Sequence, residues 1–133
     1  MAVRAGIRIE EGARQRRGRI ACLSGRMAED GVALHYEAAG CALLERRWRG
    51  PAGEIDLIFR DSEGLIFVEV KKSSSHDLAA QRLDRRQMDR ICLSALVYAG
   101  RVDGGRPVAM RFDAGLVDEI GRIDVIENAF GMN

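Results

Sequence analysis

At 133 residues the chain is long enough for one domain with a real core and too short for two. Its 21 basic and 20 acidic residues leave a net charge of +1, which excludes strong nonspecific attraction to nucleic acid; any such binding has to come from a local patch. Cys22, Cys41 and Cys92 are scattered without a C-x-x-C pair, which argues against a zinc site and a disulfide framework, and the absence of a long apolar run or a signal peptide makes a reducing cytoplasm the expected setting.

The first ~20 residues lack any helix or strand period. Arg14, Arg16, Arg17 and Arg19 make them basic. Residues 1–22 are therefore expected to be a solvated, flexible tail, with an arm that touches phosphates as the sharper reading. Residues 23–133 are expected to form the single domain.

From Arg26 to Ala39 the pattern is helical. Glu29, Val32, Ala33 and Tyr36 recur at the spacing of one helix face, so an acid shares a stripe with apolar residues. A buried unpaired carboxylate is costly, so Glu29 should have a partner or a function. Gly40 is placed to end the helix in a left-handed conformation. Cys41 to Trp48 reads as a strand, and Gly50-Pro51-Ala52-Gly53 as the turn after it.

Two alternating strands follow, Gly53 to Phe59 and Leu65 to Lys71, joined by the polar link Arg60-Asp61-Ser62-Glu63-Gly64. Ile55, Leu57 and Phe59 fall on one face of the first strand, and Glu54, Asp56 and Ile58 on the other. In the second strand Ile66, Val68 and Val70 share a face opposite Leu65, Phe67, Glu69 and Lys71. A symmetric turn at Ser62-Glu63 sets Ile58 against Phe67, Asp56 against Glu69 and Glu54 against Lys71. Opposed Cβ atoms lie about 4.5–5.5 Å apart, so Asp56 and Glu69 would repel unless a cation lies between them. Hard carboxylate oxygens suit Mg²⁺ or Mn²⁺. The bland counterpart is a solvated strand face with an ordinary Glu54–Lys71 ion pair.

Lys72 to Asp77 reads as a loop, and Leu78 to Ala99 as one long helix stopped by Gly100. Its apolar stripe is Leu83, Met88, Ile91, Ala95 and Tyr98, with Gln87 on the same stripe. Arg82, Arg86 and Arg90 form a basic ridge beside it, diluted by Asp84 and Asp89. Val102 to Arg106 is a turn, Pro107 to Asp113 a further strand, Arg122 to Ile126 a last one, and Glu127 to Phe130 a short helical turn. The expected fold class is α/β, in the order α-β-β-β-α-β-β, with a mixed sheet flanked by helices.

The chemistry this D…E-x-K arrangement suits is phosphodiester hydrolysis. Asp56 and Glu69 are the candidate metal ligands. Lys71 would orient a water, help deprotonate it, or neutralise a phosphate oxygen. Glu29 could join the ligand set or bond a metal-bound water, and Gln87 could bind a water or the substrate. A non-catalytic nucleic-acid-binding or structural module with the same fold is the alternative.

Gly40-Cys-Ala-Leu-Leu-Glu-Arg-Arg-Trp-Arg-Gly, Gly53-Glu-Ile-Asp-Leu-Ile and Phe67-Val-Glu-Val-Lys71 together resemble the bacterial YraN-like family of predicted endonucleases. Arg85-Arg86-Gln87, Arg111-Phe112-Asp113 and Val125 to Phe130 resemble its other landmarks. That family looks like the restriction-endonuclease-like, PD-(D/E)xK superfamily. The resemblance implies a mixed central sheet, Mg²⁺-dependent endonuclease cleavage of DNA, branched or damaged DNA among the substrates, and often a homodimer. It puts the superfamily's helix carboxylate on Glu29, its metal aspartate on Asp56 and its E-x-K on Glu69 and Lys71. Gln87 matches a position in the second helix, and Lys72, Arg82, Arg86 and Arg90 are the candidate nucleic-acid contacts.

Overall fold

The computed structural model of the chain describes residues 24–131. The basic segment Arg14 to Arg19 and the expected boundary at residue 22 lie outside them. A helix, α1 (24–38), leads into three strands, β1 (Ala42–Arg49), β2 (Glu54–Arg60) and β3 (Leu65–Lys72). Two helices follow, α2 (His76–Gln81) and α3 (Arg85–Ala99), and then β4 (Met110–Val117) and β5 (Ile123–Ile126). The five strands form one sheet in the order β1-β2-β3-β4-β5. All neighbours are antiparallel except β3 and β4, which run parallel across the α2–α3 connection. This is a mixed α/β sheet flanked by helices, in keeping with a restriction-endonuclease-like fold.

The hairpin register follows from the period-2 pattern. Leu57 pairs with Val68, Ile58 with Phe67, Phe59 with Ile66 and Arg60 with Leu65. Asp61 closes the turn: its amide donates to the Gly64 carbonyl, and its carboxylate accepts from the Glu63 and Gly64 amides. A slip of one residue would exchange the two buried faces of β3, so both cores hold the register.

Each sheet face has its own core. On one side α1 lays Ala28, Val32, Ala33 and Tyr36 on Leu57, Phe59, Ile66 and Val68. On the other, α3 lays Ile91, Cys92, Ala95 and Tyr98 on Ile58, Leu65, Phe67 and Phe112, and α2 adds Ala79 against Ala114 and Leu116. Leu57, Phe59 and Phe67 are wholly buried, each contributing about 1.5–3 kcal/mol of apolar burial. The helix α1 approaches β4 closely because residue 115 is glycine: a Cβ there would sit 3.0 Å from both γ-carbons of Val32. Gly40, at φ +92°, ends α1 as expected, its amide bonding to Glu37 and the Cys41 amide to Tyr36 in a Schellman closure.

Four expectations are corrected. The long helix from Leu78 to Ala99 is two helices, because Asp84 leaves helical geometry and its carboxylate caps α3 by accepting from the Arg86 amide. Arg82 therefore lies in the turn between the helices, and no continuous ridge joins it to Arg86 and Arg90. The strand expected at Pro107 to Asp113 starts at Met110 and runs to Val117, where parallel pairing with β3 outweighs the poor strand propensity of Asp113, Ala114 and Gly115. Glu127 and Asn128 form a turn rather than helix, with Asn128 at φ +52°. Ile55 packs with Ile58 against α3 instead of sharing the face of Leu57 and Phe59, so β2 breaks its alternation at Asp56.

Asp113 accounts for the last turn of the chain. It is wholly buried and accepts from the Tyr36 hydroxyl at 2.6 Å, from the Arg111 guanidinium at 3.0–3.2 Å and from the Asn128 amide at 3.1 Å. A buried carboxylate is tolerable only with its lone pairs so used. It ties α1, β4 and the segment after β5 together.

Candidate active site

The break at Asp56 opens the site. The β2–β3 ladder is continuous to Leu57 and Val68, where backbone pairing gives out. Beyond it the Asp56 carboxylate, through Oδ2, takes the Val70 amide at 2.8 Å, so a side chain replaces the strand's own carbonyl. The parted strands, α1 from one face and α3 from the other, enclose an open cavity of about 530 Å³. Glu29, Asp56 and Glu69 bring carboxylates to its wall, and Lys71, Lys72 and Arg82 bring cations. A second cavity, about 330 Å³, shares Asp56 and Gln87 with it and adds Arg90 and Glu54. Arg86 is exposed on α3.

Glu69 is strongly perturbed. It sits mid-sheet on β3, only 3% exposed, beside Ala114 of β4. Its Oε2 is buried with no hydrogen-bond partner, and its Oε1 lies 3.7 Å from Lys71 Nζ. Burial pushes its carboxyl up to about 9, the neighbouring Asp56 carboxylate adds to the rise, and Lys71 opposes it. A proton on Glu69 supplies a donor that Asp56 can accept. A divalent cation would serve the same two acids in the proton's place.

Lys71 is held by α3: its Nζ donates to Gln87 Oε1 at 3.0 Å. The glutamine on the apolar stripe is thus a partner for the lysine. No Glu54–Lys71 ion pair forms among the described residues; Glu54 faces Arg49 at 3.7 Å instead, because the strands have parted before their side chains could meet. Lys72 Nζ donates to the Ser24 hydroxyl, and Arg82 donates to the Lys72 carbonyl at 2.7 Å, which fixes both cations at the rim. His76 is turned to the Arg122 carbonyl at 2.9 Å.

Glu29 comes from α1 as its place on the apolar stripe suggested. Its carboxylate is taken by a residue that sequence reasoning passed over: Arg47 donates through Nε to Oε1 at 2.9 Å. Burial raises the Glu29 carboxyl, Arg47 lowers it, and Asp56 raises it again. Arg47 stands in β1 at φ +48°, out of the pleat, and no strand periodicity signals that. Among the described residues no three acids, histidines or cysteines gather tightly enough to chelate one ion. The Asp56–Glu69 pair is the compact unit, with Glu29 beside it.

The profile of Uncharacterised protein family UPF0102 matches residues 28–127. A UPF0102 protein of Cereibacter sphaeroides is 50% identical over 113 residues, spanning 85% of this chain and 97% of the relative. One from Ruegeria pomeroyi is 46% identical over 109 residues, 82% of this chain and 89% of the relative. One from Roseobacter denitrificans is 42% identical over 117 residues, 88% and 91% of the two chains.

Proposed function

The chain belongs to Uncharacterised protein family UPF0102, and from the pocket it builds we propose that the protein is a metal-dependent nuclease hydrolysing phosphodiester bonds in DNA. The observation that carries this reading is Glu69: a carboxyl 3% exposed, one oxygen unpartnered, aimed with Asp56 into an open cavity. Such a group is costly to the fold unless something cationic completes it.

The donors fit Mg²⁺ or Mn²⁺. They are hard oxygens, Asp56 and Glu69, with no cysteine or histidine in the cavity wall, and Mg²⁺ commonly takes one or two protein carboxylates and keeps several waters. The chemistry such an ion supplies is acidification of a water and neutralisation of charge on phosphate. The protein's own groups do the rest. Asp56 is oriented by the Val70 amide, and Lys71, held by Gln87, has further ammonium protons to offer a phosphate oxygen. Lys72 and Arg82 on one side of Asp56, and Arg90 on the other, offer charges to flanking phosphates, which favours cleavage within a strand; branched or damaged DNA as the substrate is a further part of the proposal. Two copies working on the two strands of a duplex belong to the same proposal. So does a reducing cytoplasm, which suits the free thiols Cys41 and Cys92. Among the described residues no helix is long and apolar enough to cross a membrane.

The test is Mn²⁺ calorimetry followed by cleavage of branched and linear DNA by the wild type and Asp56→Ala. Cleavage should need the metal and fall by about 10²-fold or more in the variant. Absence of both metal binding and Asp56-dependent cleavage would defeat the proposal. The binding-module alternative predicts DNA affinity unchanged in Asp56→Ala and lost in Arg82→Ala/Arg86→Ala.

A further inference from the structure

The third turn of α3 carries a serine that the proposed hydrolysis does not use. Ser94 is wholly buried. Its hydroxyl accepts from the Gly53 amide at 2.9 Å and the Ala52 amide at 3.2 Å, and donates to the Gly53 carbonyl at 2.9 Å. The same carbonyl takes the Gly50 amide at 3.1 Å, which closes the turn between β1 and β2. The fit is tight from the turn's side as well: a Cβ at residue 50 would lie 2.4 Å from Ser94 Oγ. A buried hydroxyl bonded in this way to one turn fixes that turn on the helix.

We propose that Ser94 is a positioning residue for Asp56: by clamping the Gly50–Gly53 turn to α3 it holds the start of β2 away from β3, which sets the gap that the Asp56 carboxylate spans to Val70. The inference deepens the nuclease reading and rests on it, since it accounts for how one metal-binding acid is aimed. Only Glu54 and Ile55 separate Gly53 from Asp56. Both are paired to β1, at Arg49 and Trp48, and Ile55 is wholly buried in the core that α3 makes with Ile91 and Ala95. β2 is thus fixed to β1 and α3 ahead of Asp56 and joined to β3 only after it, from Leu57 on. Asp56 stands at this change of partner, and its carboxylate takes the Val70 amide at 2.8 Å.

The helix serves both strands of the site. Ser94 lies two turns beyond Gln87 on the same helix face, about 10 Å along the axis. Gln87 holds Lys71 of β3 at 3.0 Å, and Ser94 holds the entry to β2. α3 therefore spaces the acid of one strand from the lysine of the other. Ser94 lines neither cavity, so its effect on a bound ion passes through the β2 backbone. Alanine at this position keeps the helix and loses the clamp, leaving the Ala52 and Gly53 amides without this acceptor.

The test is amide hydrogen exchange without metal, and Mn²⁺ calorimetry, on the full chain as wild type, Ser94→Ala and Ser94→Cys. In the wild type the Gly53 amide should be protected; free exchange there would overturn the inference whatever any variant does. In Ser94→Ala, exchange of the Val70 amide should rise about tenfold more than that of Ile66, deeper in the same hairpin, and Mn²⁺ should bind about tenfold more weakly, the loss usual for a group that orients a ligand. Ser94→Cys, with a weaker donor and acceptor in nearly the same space, should fall between. A role in stability alone would raise both amides together and leave Mn²⁺ affinity as it was, and that result in either folded variant would overturn the inference. A wild type that binds no Mn²⁺ would instead overturn the nuclease reading, and the inference with it.

Discussion

Replacing Glu69 with glutamine should make the protein more stable while destroying its metal site. Burial and Asp56 hold the Glu69 carboxyl at about 9, against an ordinary 4.5. Below pH 4.5 both folded and unfolded chains keep the proton, and the ionisation of Glu69 takes nothing from stability. Above it the unfolded chain releases the proton and the native chain does not, so stability falls as pH rises. The loss is complete once the native carboxyl ionises too, near pH 9. At pH 7 the linkage amounts to about 3 kcal/mol, since each unit is worth about 1.4 kcal/mol. Glutamine cannot ionise, and its amide can donate to Asp56 as the proton did. Glu69→Gln should therefore gain about 2–3 kcal/mol at pH 7, roughly 10 °C in Tm, and nothing below pH 4.5. Thermal and urea unfolding in EDTA across this pH range measures it. A Glu69→Gln chain no more stable than the wild type at pH 8, or a difference that does not grow with pH, would refute the reasoning. Added Mn²⁺ should stabilise the wild type and leave Glu69→Gln unmoved.

Three further outcomes are expected. Asp113→Ala removes the acceptor of the Tyr36 hydroxyl and the Asn128 amide, leaves Arg111 with Glu127 at 3.6 Å, and opens a buried void, and should cost about 2–4 kcal/mol in urea unfolding, where Tyr36→Phe should cost about 1–2 kcal/mol. Gly115→Ala pushes a methyl against both γ-carbons of Val32 and should cost about 1–3 kcal/mol by the same measurement. Gln87→Ala frees the Lys71 ammonium without touching Asp56 or Glu69, so Mn²⁺ affinity should hold while DNA cleavage slows by about 10–10²-fold.

The hairpin was legible in the sequence because a period of two leaves a strand no choice of face once both faces are buried. Ile58 opposite Phe67 followed from that alone, and Glu29 was legible as an acid out of place on an apolar stripe. The divided helix was less so, although Asp84 and Gln87 have the spacing of a capping box: a basic ridge and an apolar stripe ran on through the break. β4 was placed too early because Asp113 reads as a strand breaker until Tyr36, Arg111 and Asn128 surround it, and two of those partners, Tyr36 and Asn128, come from other segments of the chain. Arg47 was invisible for a different reason. Periodicity describes regular backbone, and the residue acts by leaving it. The parting of β2 from β3 at Asp56 is likewise a tertiary event, forced by the hold that its side chain takes on Val70.

The outermost strand carries one more consequence. Among the described residues β1 has a strand neighbour on one side only, and a free sheet margin ordinarily invites another chain to add to it. Here that margin is spoiled for zippering: a bulge falls between Leu43 and Glu45, Arg47 twists out of line, and three arginines crowd its end. A duplicate molecule docking strand to strand would meet misaligned amides and like charges. Self-association, wherever it occurs, is thereby steered toward other ground, such as the bare Met27, Leu34 and Ile120 beside the first helix.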